Sequence, residues 1–238
     1  PLGNGWLGEM IWKKGNKLRI SLDRVDLWDD RPMPKIGQLK FKWVIAQLNK
    51  GQYDTVHKIG DEPYDQSPAP TKIPGAALEF NYLPFGKVIS NKLDIKTALN
   101  TIKFENGVVL YNYVHATDEI GYFEFENSPT SQLGLNEKGC IPELVIPNYN
   151  SANKNKNDDS HSGKGLQTLG YKKGTITKTA NSIRYHQPTR NGNYYEVLVQ
   201  WKKISPTEII GSWTISNNKK EFLQELKEVE NKLQGCQS

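Results

Sequence analysis

Near the amino terminus, Arg24, Asp26, Trp28, Asp29 and Arg31 fall within the stretch Ser21-Leu-Asp-Arg-Val-Asp-Leu-Trp-Asp-Asp-Arg-Pro32. A tryptophan offers a flat apolar platform, carboxylates accept hydrogen bonds from hydroxyl groups, and a guanidinium orients a carboxylate or donates itself. That combination suits a sugar ring. The opening Pro1-Leu-Gly-Asn-Gly-Trp-Leu-Gly8 places glycines at 3, 5 and 8 around Asn4 and Trp6, so its backbone can take positive φ and approach a neighbour closely. These two stretches nominate Asn4, Trp6, Trp28, Asp29 and Arg31 as substrate-binding residues. The same residue types also suit a solvated loop with one buried tryptophan.

Cleaving a glycosidic bond needs two carboxyl groups roughly 5 to 10 Å apart across the bond. Asp26, Asp29 and Asp30 form the densest acidic cluster, and Glu124 and Glu126 share one face of a strand by period two. Neither spacing singles out an acid and base, and both sets read equally as solvated faces, so no catalytic residue is assigned. His57, His115, His161 and His186 are scattered and lack a HExxH or CxxC context, which leaves no metal site and no cofactor to assign. Ser160-His161-Ser162-Gly163-Lys164-Gly165 lacks the spacing of a phosphate loop, and Cys140 and Cys236 have no base partner for nucleophilic work.

The order Pro-Leu-Gly-Asn-Gly-x-Leu-Gly, a hairpin, and then Leu22-Asp-x-x-x-Leu-Trp28 resembles the amino-terminal β domain of glycoside hydrolase family 95, the α-L-fucosidase and α-L-galactosidase family. The segments Leu93-Asp-Ile-Lys-Thr-Ala98 and Gly107-Val-Val-Leu-Tyr111 with Val114-His-Ala116 are similar to strands flanking a hairpin in that domain. The resemblance implies an antiparallel β super-sandwich of the galactose-mutarotase type. It also implies a non-catalytic role: bracing a helical catalytic barrel and contributing a loop to the sugar site. The family's catalytic residues belong to the barrel, and none maps onto this chain.

Carbohydrate, and either that barrel or a second copy of the chain, are the implied partners, in a secreted or periplasmic setting. The chain departs from the family pattern at Trp28-Asp29-Asp30-Arg31, where the family shows a small hydroxyl residue and glycine after the tryptophan, so fucose itself is not implied. Two alternatives stay open. One is a free-standing carbohydrate-binding module using Trp6, Trp12, Trp28 and Trp43. The other is a mutarotase-like enzyme pairing His115 with Glu124, or His186 with Glu196.

Composition supports a strand-rich chain: 238 residues with 20 Gly, 13 Pro and 10% aromatic residues favour strands and turns over a helical bundle. The net charge of +5 comes from 31 basic and 26 acidic residues interleaved along the chain, unlike the basic face of a nucleic-acid binder. The Asn/Lys-rich tract Asn153 to Lys164 mixes lysines with Asp158 and Asp159 and reads as a solvated loop. No apolar run reaches the roughly 18 residues of a membrane span, and no signal peptide is recognised, so a soluble chain is expected.

The pattern that must position these residues is a β domain over 1–216 followed by a linker-type helix over 217–238. Period two runs through 6–22 around a turn at Lys14-Gly15-Asn16. A short helix is expected over 39–50, with Phe41, Val44, Ile45 and Leu48 on one face and Gly51 as its cap. Prolines 63, 68, 70 and 74 predict an extended surface segment. Strands follow at 77–82, 87–94, 99–104, 108–116 and 121–126, with Asn106-Gly107 as the strongest hairpin signal. An irregular stretch covers 127–164, and strands resume at 175–178, 182–186, 194–202 and 208–215. Phe222, Leu226, Val229 and Leu233 make a narrow apolar stripe on the expected terminal helix.

Overall fold

The computed structural model describes residues 1–32, 35–63, 70–127, 137–150 and 165–217. The chain is mainly β and antiparallel, as its alternation predicts. One sheet has five strands in the order β1–β2–β3–β6–β11: β1 (Leu2–Gly3), β2 (Leu7–Lys14), β3 (Lys17–Arg24), β6 (Ala76–Asn81) and β11 (Glu143–Val145). A second has eight, in the order β12–β13–β14–β15–β10–β9–β8–β7. Its strands are β7 (Val88–Asp94), β8 (Leu99–Phe104), β9 (Val109–Val114), β10 (Gly121–Glu126), β12 (Thr175–Lys178), β13 (Ser182–Pro188), β14 (Tyr194–Ser205) and β15 (Glu208–Ser216). A short pair joins β4 (Trp28–Asp29) to β5 (Thr71–Lys72).

Within the span 1–216 read as one β domain, the residues form two compact units. The first holds both large sheets and comprises Pro1–Leu27, Pro74–Ile146 and the chain from Gly174 on; the second comprises Trp28–Ile73 and Pro147–Lys173.

Period two builds the first unit's core. In β3, Leu18, Ile20, Leu22 and Arg24 are buried while the intervening residues face outward. In β10, Phe123 and Phe125 are buried between Tyr122, Glu124 and Glu126, and in β14 Tyr195, Val197, Val199 and Trp201 share one buried face. The sheets meet through Phe80 of β6, whose ring centroid lies 5.2 Å from those of both Phe123 and Phe125. Each such ring stabilises the fold by about 1.5–3 kcal/mol when fully buried.

The β10–β15 register sets Gly121 opposite Trp213 and Phe123 opposite Gly211. Each aromatic ring lies over the partner strand's glycine: a Cβ on Gly211 would stand 1.9 Å from Phe123 Cζ, and one on Gly121 2.1 Å from Trp213 Cε2. The two predicted turns form as expected, with Gly15 at φ 58° and Gly107 at φ 89°.

The second unit contains α1 (Phe41–Asn49), which ends where Gly51 takes φ 69° and donates to the Leu48 carbonyl at 2.9 Å. The predicted helix forms, although none of its residues is fully buried. A second helix, α2 (Tyr53–Gly60), stands just before the prolines; with only Val56 and Ile59 on its apolar side, its periodicity is too short to signal a helix in the sequence. In the first unit, the stretch read as irregular contains the short helix α3 (Glu137–Cys140) and β11, which pairs with β6. Cys140 is buried. The expected terminal helix, Cys236, His161 and the Asn153–Lys164 tract lie outside the described residues. No described helix is long and apolar enough to cross a membrane.

Candidate functional site

Asn4 is where the opening motif becomes a rigid turn. Its side-chain oxygen accepts from the Trp6 and Leu7 amides, each at 2.9 Å, and its Nδ2 donates to the His115 and Asp118 carbonyls, also at 2.9 Å. The amide thereby has two donor and two acceptor partners, tying the amino-terminal loop to the β9–β10 turn. Gly5 holds φ 92°, and a Cβ on Gly3 would press on the Leu7 carbonyl at 2.9 Å. Asn4 therefore shapes the turn that carries Trp6.

The turn presents Trp6, half of whose surface is exposed. Its backbone carbonyl accepts from the Val25 amide at 2.9 Å, and the Arg24 guanidinium lies 5.7 Å from its ring centroid. Arg24 is buried, donating to Asp26 at 2.7 Å, to the Ile215 carbonyl at 2.7 Å, and to Glu119. Asp26 also accepts from Asn217 at 2.5 Å. Of this group only Trp6 was nominated from the sequence. Arg24 carried a legible signal all the same, since it continues the inward phase of Leu18, Ile20 and Leu22.

In the second unit the structure brings Asp29 and Arg31 together. Arg31 donates from Nε at 2.8 Å and from Nη2 at 2.5 Å to the two carboxylate oxygens, and its backbone amide adds a third bond at 3.2 Å. The Tyr171 hydroxyl donates to the same carboxylate at 2.6 Å, and Arg31 Nη2 reaches the Leu169 carbonyl at 2.6 Å. Burial pushes the Asp29 carboxyl up, but the hydrogen bonds from Arg31 and Tyr171 outweigh it, and the group titrates below the ordinary carboxylate range. Burial, then Asp29, raises the Tyr171 phenol. Asp29 is thus engaged by the chain's own donors, with Arg31 orienting it, and the adjacent Trp28 is exposed on β4.

Asp29→Asn is expected to destabilise this unit by about 2 kcal/mol, because it replaces charge-assisted bonds with neutral ones around a buried group. Hydrogen exchange should report the loss first at β4 and β5. The wild-type contribution is present above the unfolded pKa of the carboxyl and is lost as pH falls through the lower folded value.

The remaining tryptophans divide cleanly. Trp12 is exposed on the outer face of the five-stranded sheet, bonded to Ser21 Oγ at 3.0 Å with Arg19 5.8 Å from its ring centroid. Trp43 is half-buried, and Trp201 and Trp213 are core residues. Of the two histidine pairings drawn from the sequence, His186 Nδ1 and Glu196 Oε1 stand 3.0 Å apart, with Tyr194 against the imidazole. His115 instead engages Asp118 at 3.3 Å. Among the described residues no group of acids, histidines and cysteines is arranged to hold a metal.

One titratable group went unnoticed in the sequence. Glu9 points inward from β2 and is buried; Asn112 donates to its Oε1, and Trp213 Nε1 to its Oε2 at 3.2 Å, while Asn100 donates to Asn112 at 3.0 Å. Burial, opposed by these bonds, pushes its carboxyl up to about 7. Closed off from solvent between the sheets, it cannot meet a substrate. No protein-family model matches this sequence, and no curated protein matches it either.

Proposed function

We propose that this chain is the non-catalytic β domain of a glycoside hydrolase resembling family 95, bracing a helical barrel and presenting a loop to the sugar. The observation that carries the reading is the rigid turn of the opening motif. Asn4 bonds four backbone groups, Gly5 takes positive φ and Gly3 leaves room for the Leu7 carbonyl, and the product of that arrangement is a tryptophan with half its surface in solvent. A carbohydrate platform requires such a ring.

The chain is expected to be retarded in affinity electrophoresis through a fucosylated or galactosylated polysaccharide, less so as Trp6→Ala, and to release no nitrophenol from aryl fucosides or galactosides. Turnover that vanishes on mutating one carboxylate of this chain would overturn the non-catalytic assignment. The exposure of Trp12 and Trp28 favours a second reading, a free-standing carbohydrate-binding module. Retardation abolished by Trp12→Ala and Trp28→Ala but untouched by Trp6→Ala would select it.

A further inference from the structure

We propose that β7 is a self-pairing edge: β7 of one copy of this chain adds antiparallel to β7 of a second copy, in register about Leu93, so that two eight-stranded sheets join into one. The strand ends the order of the larger sheet and, among the described residues, pairs with β8 alone. All seven of its residues are exposed. An edge strand turns the N–H and C=O groups of alternate residues away from its neighbour, and such a row templates a further strand. This edge is also apolar: Ile89, Leu93 and, at the start of the following turn, Ile95 are 63%, 40% and 88% exposed. The opposite edge of the same sheet, β12, carries one large apolar residue, Ile176, and no acid.

Charge selects both the occupant and the register. A two-fold axis through an antiparallel pair sets one residue opposite its own copy and the flanking residues opposite each other in reverse order. The register shift between Val88 and Ser90 leaves the regular ladder over 90–94, and a bulge turns an edge away from partners, so the axis falls within that span. Centred on Ser90 or Asn91, no opposite charges meet; centred on Lys92 or Asp94, like charges stand face to face. Centred on Leu93, leucine lies on leucine and Lys92 faces Asp94 twice, once on each side of the axis. Opposite charges directly across a ladder stabilise it, and like charges oppose it. Both side chains are available for this. Lys92 has no ion pair among the described residues, and Asp94 engages Oδ1, which accepts from the Lys96 and Thr97 amides at 2.9 and 3.4 Å. Its Oδ2 is left for Lys92 of the second copy.

Sedimentation velocity of the full chain should show a monomer–dimer equilibrium with a dissociation constant on the order of 100 μM, as suits a short interface, and the dimer should weaken as salt screens its ion pairs. Lys92→Glu changes an exposed side chain, sets acid against Asp94 and should weaken the dimer by about tenfold or more. Asp94→Lys alone should do the same. An equimolar mixture of these two variants should dimerise again, because each position then faces its opposite charge. Cysteine reads the register: in a Cys236→Ser chain, Leu93→Cys should form a disulfide-linked dimer in air, since directly opposed residues bring their Cα atoms to roughly 4.5–5.5 Å, whereas Ser90→Cys should not. Asp94 caps its turn, so Lys92→Glu and Leu93→Cys decide the matter if Asp94→Lys fails to fold. A chain that stays monomeric at about 1 mM, a dimer untouched by Lys92→Glu, or a Ser90→Cys chain that cross-links as readily as Leu93→Cys overturns the proposal.

Discussion

Glu9 should make the unfolding free energy fall by about 3 kcal/mol as pH rises from near 4.5 to near 7, and Glu9→Gln should remove most of that slope, leaving the contribution of Glu124, whose carboxyl is also raised by burial and by Glu208 and Glu126. In the unfolded chain the carboxyl gives up its proton near 4.5, whereas in the sandwich burial holds the proton until about 7. Between those values the folded state binds more protons, so stability declines with rising pH and levels off above the folded pKa. The side chains bonded around Glu9 are the neutral Asn112 and Trp213, with Asn100 behind them. Among the described residues no cationic side chain bonds the carboxylate inside the core.

Urea unfolding followed by tryptophan fluorescence at a series of pH values measures the slope directly. Asp29 and Glu79, whose carboxyls are held below the ordinary range, contribute slopes of the opposite sign at more acid pH and do not obscure it. A Glu9→Gln chain that keeps the wild-type decline would show that the buried carboxyl is not its source.

Gly211→Ala should destabilise the sandwich by about 3 kcal/mol, at the upper end of what overpacking usually costs. The added methyl would sit 1.9 Å from Phe123 Cζ, so the ring must leave its place. That ring packs on Phe80 at 5.2 Å and on Phe125 at 6.5 Å, hence the displacement spreads through the contact between the two sheets. Gly121→Ala should cost a similar amount by displacing Trp213, and there the effect reaches Glu9, since the indole N–H is one of its two side-chain donors. Gly121→Ala and Glu9→Gln are therefore expected to be non-additive, whereas Gly211→Ala and Asp29→Asn, which fall in different compact units, should add. Thermal melts of the single and double variants decide both points. A Gly211→Ala chain as stable as the wild type would mean that Phe123 has an alternative rotamer at no cost.

Strand positions were legible wherever one face of a sheet is buried and the other is not, because alternation in the sequence then copies alternation in burial. This holds for 17–24, for 99–126 and for 182–188, and the Asn106-Gly107 turn added a local conformational requirement. The helix at 41–49 was legible from its period and its glycine cap. The helix at 53–60 and the strand at 143–145 were not: the first has two apolar residues in two turns, and the second is three residues long and owes its place to pairing with β6.

The candidate site divides in the same way. Its glycine turn, its tryptophans, and the inward phase of Glu9 and Arg24 can all be read from residue type and spacing, since these are properties of neighbours along the chain. What those side chains meet cannot be so read. Arg24 finds Glu119 at a separation of 95 residues, Asp29 finds Tyr171 at 142, and Glu9 finds Trp213 at 204. Only the tertiary structure decided that Asn4 and Asp29 are held by the chain's own groups, while Trp6 remains half in solvent above a buried arginine, because hydrogen-bond capacity is allotted by packing between strands far apart in sequence.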